Sequence, residues 1–100
     1  MAFNGLTEAE AERLAILAEE LGEAAQRVGK ILRHGYESTH PHQEQGTNRQ
    51  ELEKEIGDLA NAIVLMEEGG DLSSEAIENR FEFKRKQFKA YTHHQFTHVG

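Results

Sequence analysis

The chain has 100 residues, among them 18 Asp or Glu and 11 Lys or Arg, which give a formal charge of −7. This length fits one domain. A chain this short buries only part of its surface, so we expect it to associate with copies of itself. It contains no cysteine, which excludes disulfides and thiolate metal sites. The negative charge opposes binding to nucleic acid, because that affinity depends on neutralising phosphates.

No apolar run of the sequence approaches the roughly 20 residues that a membrane-spanning helix requires. Residues 1–7 also lack the basic segment followed by an apolar one that marks a secretion signal. We therefore expect a cytoplasmic protein that has no membrane partner.

The first predicted helix covers residues 7–34. Thr7 is a suitable N-cap, and Glu10 three residues later completes a capping-box pattern. Gly35 suits the end of this helix, because glycine adopts the left-handed backbone region at little cost. Apolar or small residues recur in steps of three and four along one stripe, which consists of Leu14, Ala18, Leu21, Ala25, Val28 and Leu32.

A loop is predicted at residues 35–47, where this periodicity is lost and the only proline of the chain occurs. A second helix is predicted at residues 48–68, with Thr47 or Asn48 as its cap and a pair of glycines at its end. Its apolar stripe consists of Leu52, Ile56, Leu59, Ile63 and Met66.

A third helix is predicted at residues 73–91, capped by Asp71, Ser73 or Ser74, and residues 92–100 are predicted to form a tail. Its candidate core residues are Ala76, Ile77, Phe81, Phe88 and Tyr91. Because no strand-like alternation occurs, the sequence predicts a single all-α domain built as an antiparallel helical bundle.

A group of basic residues stands out in the third predicted helix of this acidic chain. A solvated helix face accounts for it more simply than a phosphate-binding role, which stays the alternative. The group consists of Arg80, Lys84, Arg85, Lys86 and Lys89.

Two short segments in different predicted helices repeat the order acid, apolar residue, glycine, acid. They are Glu20-Leu21-Gly22-Glu23 and Glu55-Ile56-Gly57-Asp58. A spacing of three places both acids of a segment on one helical face, where like charges repel. Each glycine also costs about 1 kcal/mol relative to alanine in a helix interior. The same two penalties therefore occur at matching places in two helices.

A divalent cation shared by the two helices would account for both penalties, because carboxylate oxygens are preferred ligands of Mg²⁺. Leu21 and Ile56 would pack between the helices, and the glycines would allow a close approach. The alternatives are chance spacing in an acidic helix and pairing of Glu23 with Arg27, four residues later. The match between the two segments favours a metal site.

The ligand types indicate which ion is expected. No cysteine is present and no histidine lies at helical spacing from these acids, which argues against zinc. A di-iron bundle would need Glu-x-x-His on two helices, and the single match is Glu37 to His40 in the predicted loop. Mg²⁺ is therefore the expected cofactor, with Mn²⁺ as a substitute.

These two motifs resemble the signature of the MazG-like nucleotide pyrophosphohydrolases, an all-α superfamily that cleaves nucleoside triphosphates. The family's signature is Glu-Glu-x-x-Glu on one helix and Glu-x-x-Asp on the next, which residues 19–23 and 55–58 match. Asn61 extends the second motif in a way common in the family. The sequence of residues 29–35 resembles that of small bacterial and phage members of the family. The resemblance as a whole covers residues 14–68.

The resemblance implies a magnesium-dependent cut between the α and β phosphates of a nucleoside triphosphate, which releases NMP or dNMP and pyrophosphate. It also implies homodimers or homotetramers in which helices from two chains build each site. Glu19 and Glu23 are the candidate catalytic residues that orient the attacking water. The candidate metal ligands are Glu19, Glu20, Glu23, Glu55 and Asp58.

Substrate-binding residues are expected near the motifs and on the last helix. Lys30 lies two turns after Glu23 on the same face, although a plain surface position also fits it. Many family members carry an Asn and a Lys close together on the last helix, whereas here Arg80 follows Asn79. Tyr36 is a candidate for stacking on the base. The substrate-binding candidates are Lys30, Arg33, Asn61, Asn79 and Lys84.

Two other interpretations stay open at this point. In the first, the chain binds a metal and a nucleotide but does not cleave the nucleotide. In the second, the chain is a structural helical protein that dimerises through its apolar stripes.

Overall fold

The computed structural model describes residues 4–39 and 46–95, and within these ranges it contains three α-helices and no strand. The all-α class predicted from the sequence is confirmed. The predicted loop at residues 35–47 and the predicted tail at residues 92–100 lie partly outside the described residues.

The three helices begin and end within one residue of the bounds predicted from the sequence. They are α1 at Glu8–His34, α2 at Asn48–Glu68 and α3 at Ser74–Tyr91.

Capping side chains determine where each helix begins. The Thr7 hydroxyl accepts the backbone N–H of Glu10 at 3.1 Å, and the Glu10 carboxylate accepts the N–H of Thr7 at 2.8 Å. Thr47 and Gln50 form the same reciprocal box at the start of α2. Ser73 caps α3 through the N–H of Ala76. These bonds satisfy backbone donors that have no partner within a helix.

Helices α1 and α2 form an antiparallel hairpin. The beginning of α1 meets the segment after α2 through an ion pair between Arg13 and Asp71. The end of α1 meets the beginning of α2 through Arg27, which lies 3.6 Å from the carboxylate of Glu51. Gly35 ends α1 with a φ of 87°, a backbone conformation that favours glycine.

The apolar core of the hairpin is small. Ala62 and Met66 of α2 are the buried apolar residues in the described part of the chain, each 3 % exposed. The same face of α2 also buries Glu51 and Glu55. Two of the four buried residues of α2 are therefore acids, and both lie in the first half of the helix.

The apolar stripe predicted for α1 does not face α2. All six of its residues are exposed, and Leu21 and Ile56, expected between the helices, are each about half exposed. The face of α1 that is partly covered lies one residue earlier in the sequence and includes Arg13, Leu17 and Glu20. The expectation failed because the period of 3.6 fits two adjacent stripes and the charged one faces the partner helix.

Helix α3 is not part of this packing. Among the described residues, α1 and α2 are the only helices that pack along their lengths. Within one protomer, the predicted antiparallel bundle is therefore a pair of helices. The Cα radius of gyration is 17.6 Å, whereas a compact domain of this length has about 13 Å. The candidate core residues of α3 are all exposed, namely Ala76, Ile77, Phe81, Phe88 and Tyr91.

None of the described helices combines the length and the apolar character that crossing a bilayer requires.

Candidate metal centre

Three carboxylates meet in the middle of the hairpin. Glu20 and Glu23 come from one face of α1, and Glu55 comes from α2, two turns after its first residue. One ligand oxygen from each residue lies within 4.8 Å of the others. The sequence predicted this convergence from the matching acid pairs, and the antiparallel pairing of the two helices brings it about. We call these three residues the carboxylate cluster.

The cluster is sheltered from solvent and incompletely hydrogen-bonded. Glu55 is 9 % exposed, and Glu20 and Glu23 are partly covered. The Oε2 atoms of Glu20 and Glu55 are both buried and have no hydrogen-bond partner among the described residues. A buried acceptor without a partner costs free energy, and a charged one costs more. These two oxygens are therefore available to a cation.

The crowding of acids raises two pKa values. Desolvation raises the pKa of Glu20 above the ordinary range, and the charges of Glu23, Asp58 and Glu19 raise it further. The neighbouring Glu55 side chain raises the pKa of Glu23, because a protonated Glu23 can donate a hydrogen bond to it and because two adjacent negative charges repel. Both shifts mean that the metal-free site resists carrying its full negative charge.

One arginine reaches the edge of the cluster. Arg27 of α1 lies 3.9 Å from Glu55 and 3.6 Å from Glu51 of α2, and Lys54 lies 3.2 Å from Glu51 on its exposed side. Pairing of Arg27 with Glu23 was the alternative to a metal site, whereas in the structure Arg27 pairs across the hairpin with Glu51 and Glu55. Neither Arg27 nor Lys54 forms an ion pair with Glu20 or Glu23.

Glu51 was missed as a member of this region. It is 7 % exposed and lies one helical turn before Glu55 on the same face of α2. The sequence signal was available, because positions 51, 55, 62 and 66 follow helical spacing. The four positions do not stand out as a buried stripe, because two of them are acids.

Two predicted ligands lie outside the carboxylate cluster. Glu19 and Asp58 are exposed, and they are not members of the group of oxygens within 4.8 Å. Their charges nevertheless act on the cluster, since both raise the pKa values of Glu20 and Glu23. They flank the three sheltered acids on the solvent side.

The candidate substrate-binding residues are divided between the hairpin and α3. Lys30 is partly covered on α1, two turns beyond Glu23, while Arg33 and Asn61 are exposed on the hairpin. Asn79 and Lys84 are exposed on α3, which does not pack against the hairpin. Within one protomer, these two residues are not brought to the carboxylate cluster.

Tyr36 already has a partner on one face. The guanidinium of Arg49 lies 4.3 Å from the centroid of its ring and forms an ion pair with Glu37 at 2.7 Å. The backbone N–H of Arg49 also donates to the Tyr36 carbonyl at 2.8 Å. The predicted base-stacking role can therefore use only the other face of the ring.

The glycines of the two motifs do not have the predicted role within the protomer. A Cβ atom added at Gly22 or Gly57 would meet nothing within 4 Å, and both residues are exposed. Close approach of α1 and α2 therefore does not require them.

A second charged contact lies at the other end of the hairpin. Two guanidinium nitrogens of Arg13 donate to the two carboxylate oxygens of Asp71, at 2.5 and 2.8 Å. This bidentate bond holds the pKa of Asp71 below its ordinary range. Asp71, a candidate helix cap in the sequence analysis, instead fastens the α2–α3 connection to α1.

Comparison with known proteins adds no relative. No family model, no curated protein and no solved structure matches the chain.

Proposed function

We propose that this protein is a magnesium-dependent nucleoside triphosphate pyrophosphohydrolase of the MazG-like kind. The observation that carries the proposal is the convergence of Glu20, Glu23 and Glu55, whose ligand oxygens lie within 4.8 Å of one another across two helices. The three residues that meet are among the five signature acids on which the family resemblance rests.

The donor set suits a hard divalent cation. All three groups are carboxylates, which Mg²⁺ prefers, and Mn²⁺ accepts the same ligands. The buried Oε2 atoms of Glu20 and Glu55 lack a hydrogen-bond partner in the described part of the chain, and a cation would satisfy both. A purely structural hairpin gains nothing from this arrangement, because uncharged side chains would avoid the repulsion.

Different acidic side chains would have different roles in hydrolysis. Glu20, Glu23 and Glu55 would hold the ion, with Asp58 reaching it from the exposed side. The bound ion would supply neutralisation of charge on the phosphate oxygens. Glu19, exposed beside the cluster, would accept a hydrogen bond from the attacking water and orient it, a role for which Glu23 is the alternative.

The proposed reaction consumes one water and breaks one phosphoanhydride bond. Water attacks phosphorus at the α–β bridge, the bridging P–O bond breaks, and NMP or dNMP and pyrophosphate leave. Lys30, Arg33 and Asn61 are the candidates on the hairpin for binding the triphosphate. Asn79 and Lys84 would take part from α3 of another copy, since the proposal includes a homodimer or homotetramer. A cytoplasmic location completes the proposal, because nucleoside triphosphates are found there.

Pyrophosphate release from a panel of NTPs and dNTPs tests this function. We expect Mg²⁺-dependent release by the full chain. The rate of pyrophosphate release by the Glu55→Gln variant should fall more than about 100-fold. Even residues that only hydrogen-bond to a metal ligand are worth about 10–100-fold in metal affinity or activity. Circular dichroism would verify that the variant keeps its helices.

Glu53→Gln is the matched control for this substitution. Glu53 lies on the same helix as Glu55 but is exposed, so its variant should keep the activity of the native chain. Unchanged turnover in Glu55→Gln would contradict the proposal. Mg²⁺-dependent nucleotide binding without any pyrophosphate release would instead identify a binding protein.

A further inference from the structure

Two apolar surfaces of the described protomer are uncovered. The first, which we call the hairpin face, consists of Leu14, Leu21, Val28 and Ile56. The second, which we call the arm stripe, runs along α3 and consists of Ile77, Phe81, Phe88 and Tyr91. Every one of these eight side chains is more than a third exposed.

The hairpin face is continuous across both helices. Leu21 follows the α2-facing residue Glu20 by one position, and Ile56 follows the buried Glu55 by one position. One residue is a rotation of about 100° in the same sense on each helix. Because the two helices are antiparallel, equal rotations turn both side chains to the same side of the hairpin.

The protomer exposes far more surface than a folded monomer of its size. Its accessible surface is 8023 Å², which is about 2,300 Å² above the roughly 5,700 Å² expected for a chain of 11.3 kDa. A stable dimer of standard size buries about 800 Å² of each partner, and permanent dimers bury roughly 1,000–2,500 Å² of each partner. The excess is of the size that an extensive interface between two copies covers.

Helix α3 is held away from its own hairpin by ordered contacts. Asp71 is fastened to Arg13 by two hydrogen bonds, and its backbone N–H donates to the carbonyl of Met66 at 2.9 Å. Ser73 then caps α3. The direction in which α3 leaves the hairpin is therefore set by these contacts, and its apolar stripe is left uncovered within the described protomer.

The two surfaces are complementary in charge. Helix α3 carries five Lys or Arg and three Glu, whereas α1 and α2 together carry twelve Asp or Glu and six Lys or Arg. Opposite charges around an apolar contact favour the correct pairing and speed the encounter. Two α3 helices placed side by side, or two hairpins, would instead bring like charges together.

We propose that α3 is an exchanged arm, whose arm stripe docks on the hairpin face of a second copy of this chain. The exchange is reciprocal, so that each copy gives its arm and receives one, as two-fold symmetry requires. The proposal rests on the self-association included above but not on hydrolysis, and it specifies which surfaces meet.

Sedimentation equilibrium of the full chain, without nucleotide or metal, tests the pairing. The native chain should have at least twice its monomer mass of 11.3 kDa. Phe81→Glu on the arm stripe and Leu21→Glu on the hairpin face should each raise the dissociation constant by at least about 30-fold, as expected for the centre of an interface.

Phe83→Glu is the matched control. Phe83 is also half exposed on α3, but it lies on another face, where its ring contacts Arg80. This variant should keep the native mass. Native mass in Phe81→Glu, or equal dissociation of Phe83→Glu, would overturn the assignment of the arm stripe.

Mixing the two dissociated variants separates an exchanged arm from other modes of pairing. In a mixed dimer, the intact arm of Leu21→Glu meets the intact hairpin face of Phe81→Glu, so one of the two contacts survives. Mixing should therefore restore association and any helical signal lost by the separate variants. If the variants do not complement each other, the proposal of reciprocal exchange is wrong.

The basic, aromatic character of α3 has one competing explanation, which is adsorption to an anionic membrane surface. Vesicles of phosphatidylcholine with a third phosphatidylserine distinguish the two. A monomeric native chain that sediments with these vesicles would overturn the proposal. These measurements do not involve hydrolysis, so their failure is distinct from failure of the pyrophosphate assay.

Discussion

The hairpin has two charged contacts that differ in how completely they are paired. At one end, Arg13 and Asp71 form a bidentate bond in which one cation matches one anion. In the middle, Glu20, Glu23 and Glu55 converge, and the pKa values of Glu20 and Glu23 are raised, whereas that of Asp71 is lowered. The first contact is complete without a ligand, and the second has an excess of negative charge that a cation would balance.

This comparison predicts opposite effects of neutralising an acid in the two contacts. Asp71→Asn should destabilise the protein, because it leaves the Arg13 charge partly buried without its anion. We expect the melting temperature to fall by about 5–10 °C, as measured by circular dichroism. A melting temperature equal to that of the native chain would show that the bidentate pair does not fasten the connection.

Arg27 tests whether the middle of the hairpin is short of positive charge. Arg27→Ala removes the cation that reaches both Glu51 and Glu55, so the metal-free protein should melt about 5 °C lower. Lys54→Ala is the control, because Lys54 also pairs with Glu51 but is 64 % exposed. Such a surface pair is worth little, and equal effects of both substitutions would contradict the account.

Neutralising Glu20 should raise the melting temperature, which is the opposite of the effect expected for Asp71→Asn. Because the folded chain holds a proton on Glu20 more tightly than the unfolded chain does, the native metal-free protein loses stability as pH rises through the raised pKa of Glu20. Glu20→Gln removes this penalty. We expect the variant to melt a few degrees above the native chain near pH 7, and the difference to vanish below the unfolded pKa of about 4.3.

The melting-temperature difference between Glu20→Gln and the native chain should depend on pH, and this dependence separates charge crowding at Glu20 from ordinary acid unfolding. Asp71 acts in the other direction, because its lowered pKa gives stability that is lost only as pH falls through that value. The Glu20→Gln comparison cancels this contribution, since both chains retain Asp71. A difference in melting temperature that does not change between pH 4 and pH 7 would contradict the charge-crowding explanation.

The sequence predicts the helices well because caps and periodicity are local signals. Thr7 with Glu10 and Thr47 with Gln50 satisfy their own backbone groups whatever the rest of the chain does. The pairing of Arg13 with Asp71 was not predictable in this way. It joins residues 58 positions apart, and no local pattern records such a contact.

The candidate site was predicted in part. The spacing of Glu20 and Glu23 on one helix and the repeat at Glu55 indicated which acids converge, and the structure brings these three together. The packing around them was predicted wrongly, because an apolar stripe was expected to face the partner helix. Leu21 is half exposed while Glu55 is buried, since the acids themselves occupy the contact.

The exposure of the apolar stripe of α3 has a similar explanation. Its apolar residues predicted a core position, but a periodic stripe does not say which chain covers it. Phe81 is 63 % exposed in the protomer, so the stripe either packs on another molecule or remains uncovered. Sequence periodicity alone does not distinguish these outcomes.

Thermal unfolding with and without Mg²⁺, at matched ionic strength, tests the central claim that the carboxylate cluster binds a divalent cation. A ligand that binds only the folded state at 100 times its dissociation constant should raise the melting temperature of this small protein by about 10 °C. The native chain, Asp71→Asn and Glu53→Gln should show this rise, and Glu55→Gln should not. Equal melting temperatures of the native chain with and without Mg²⁺ would contradict the account.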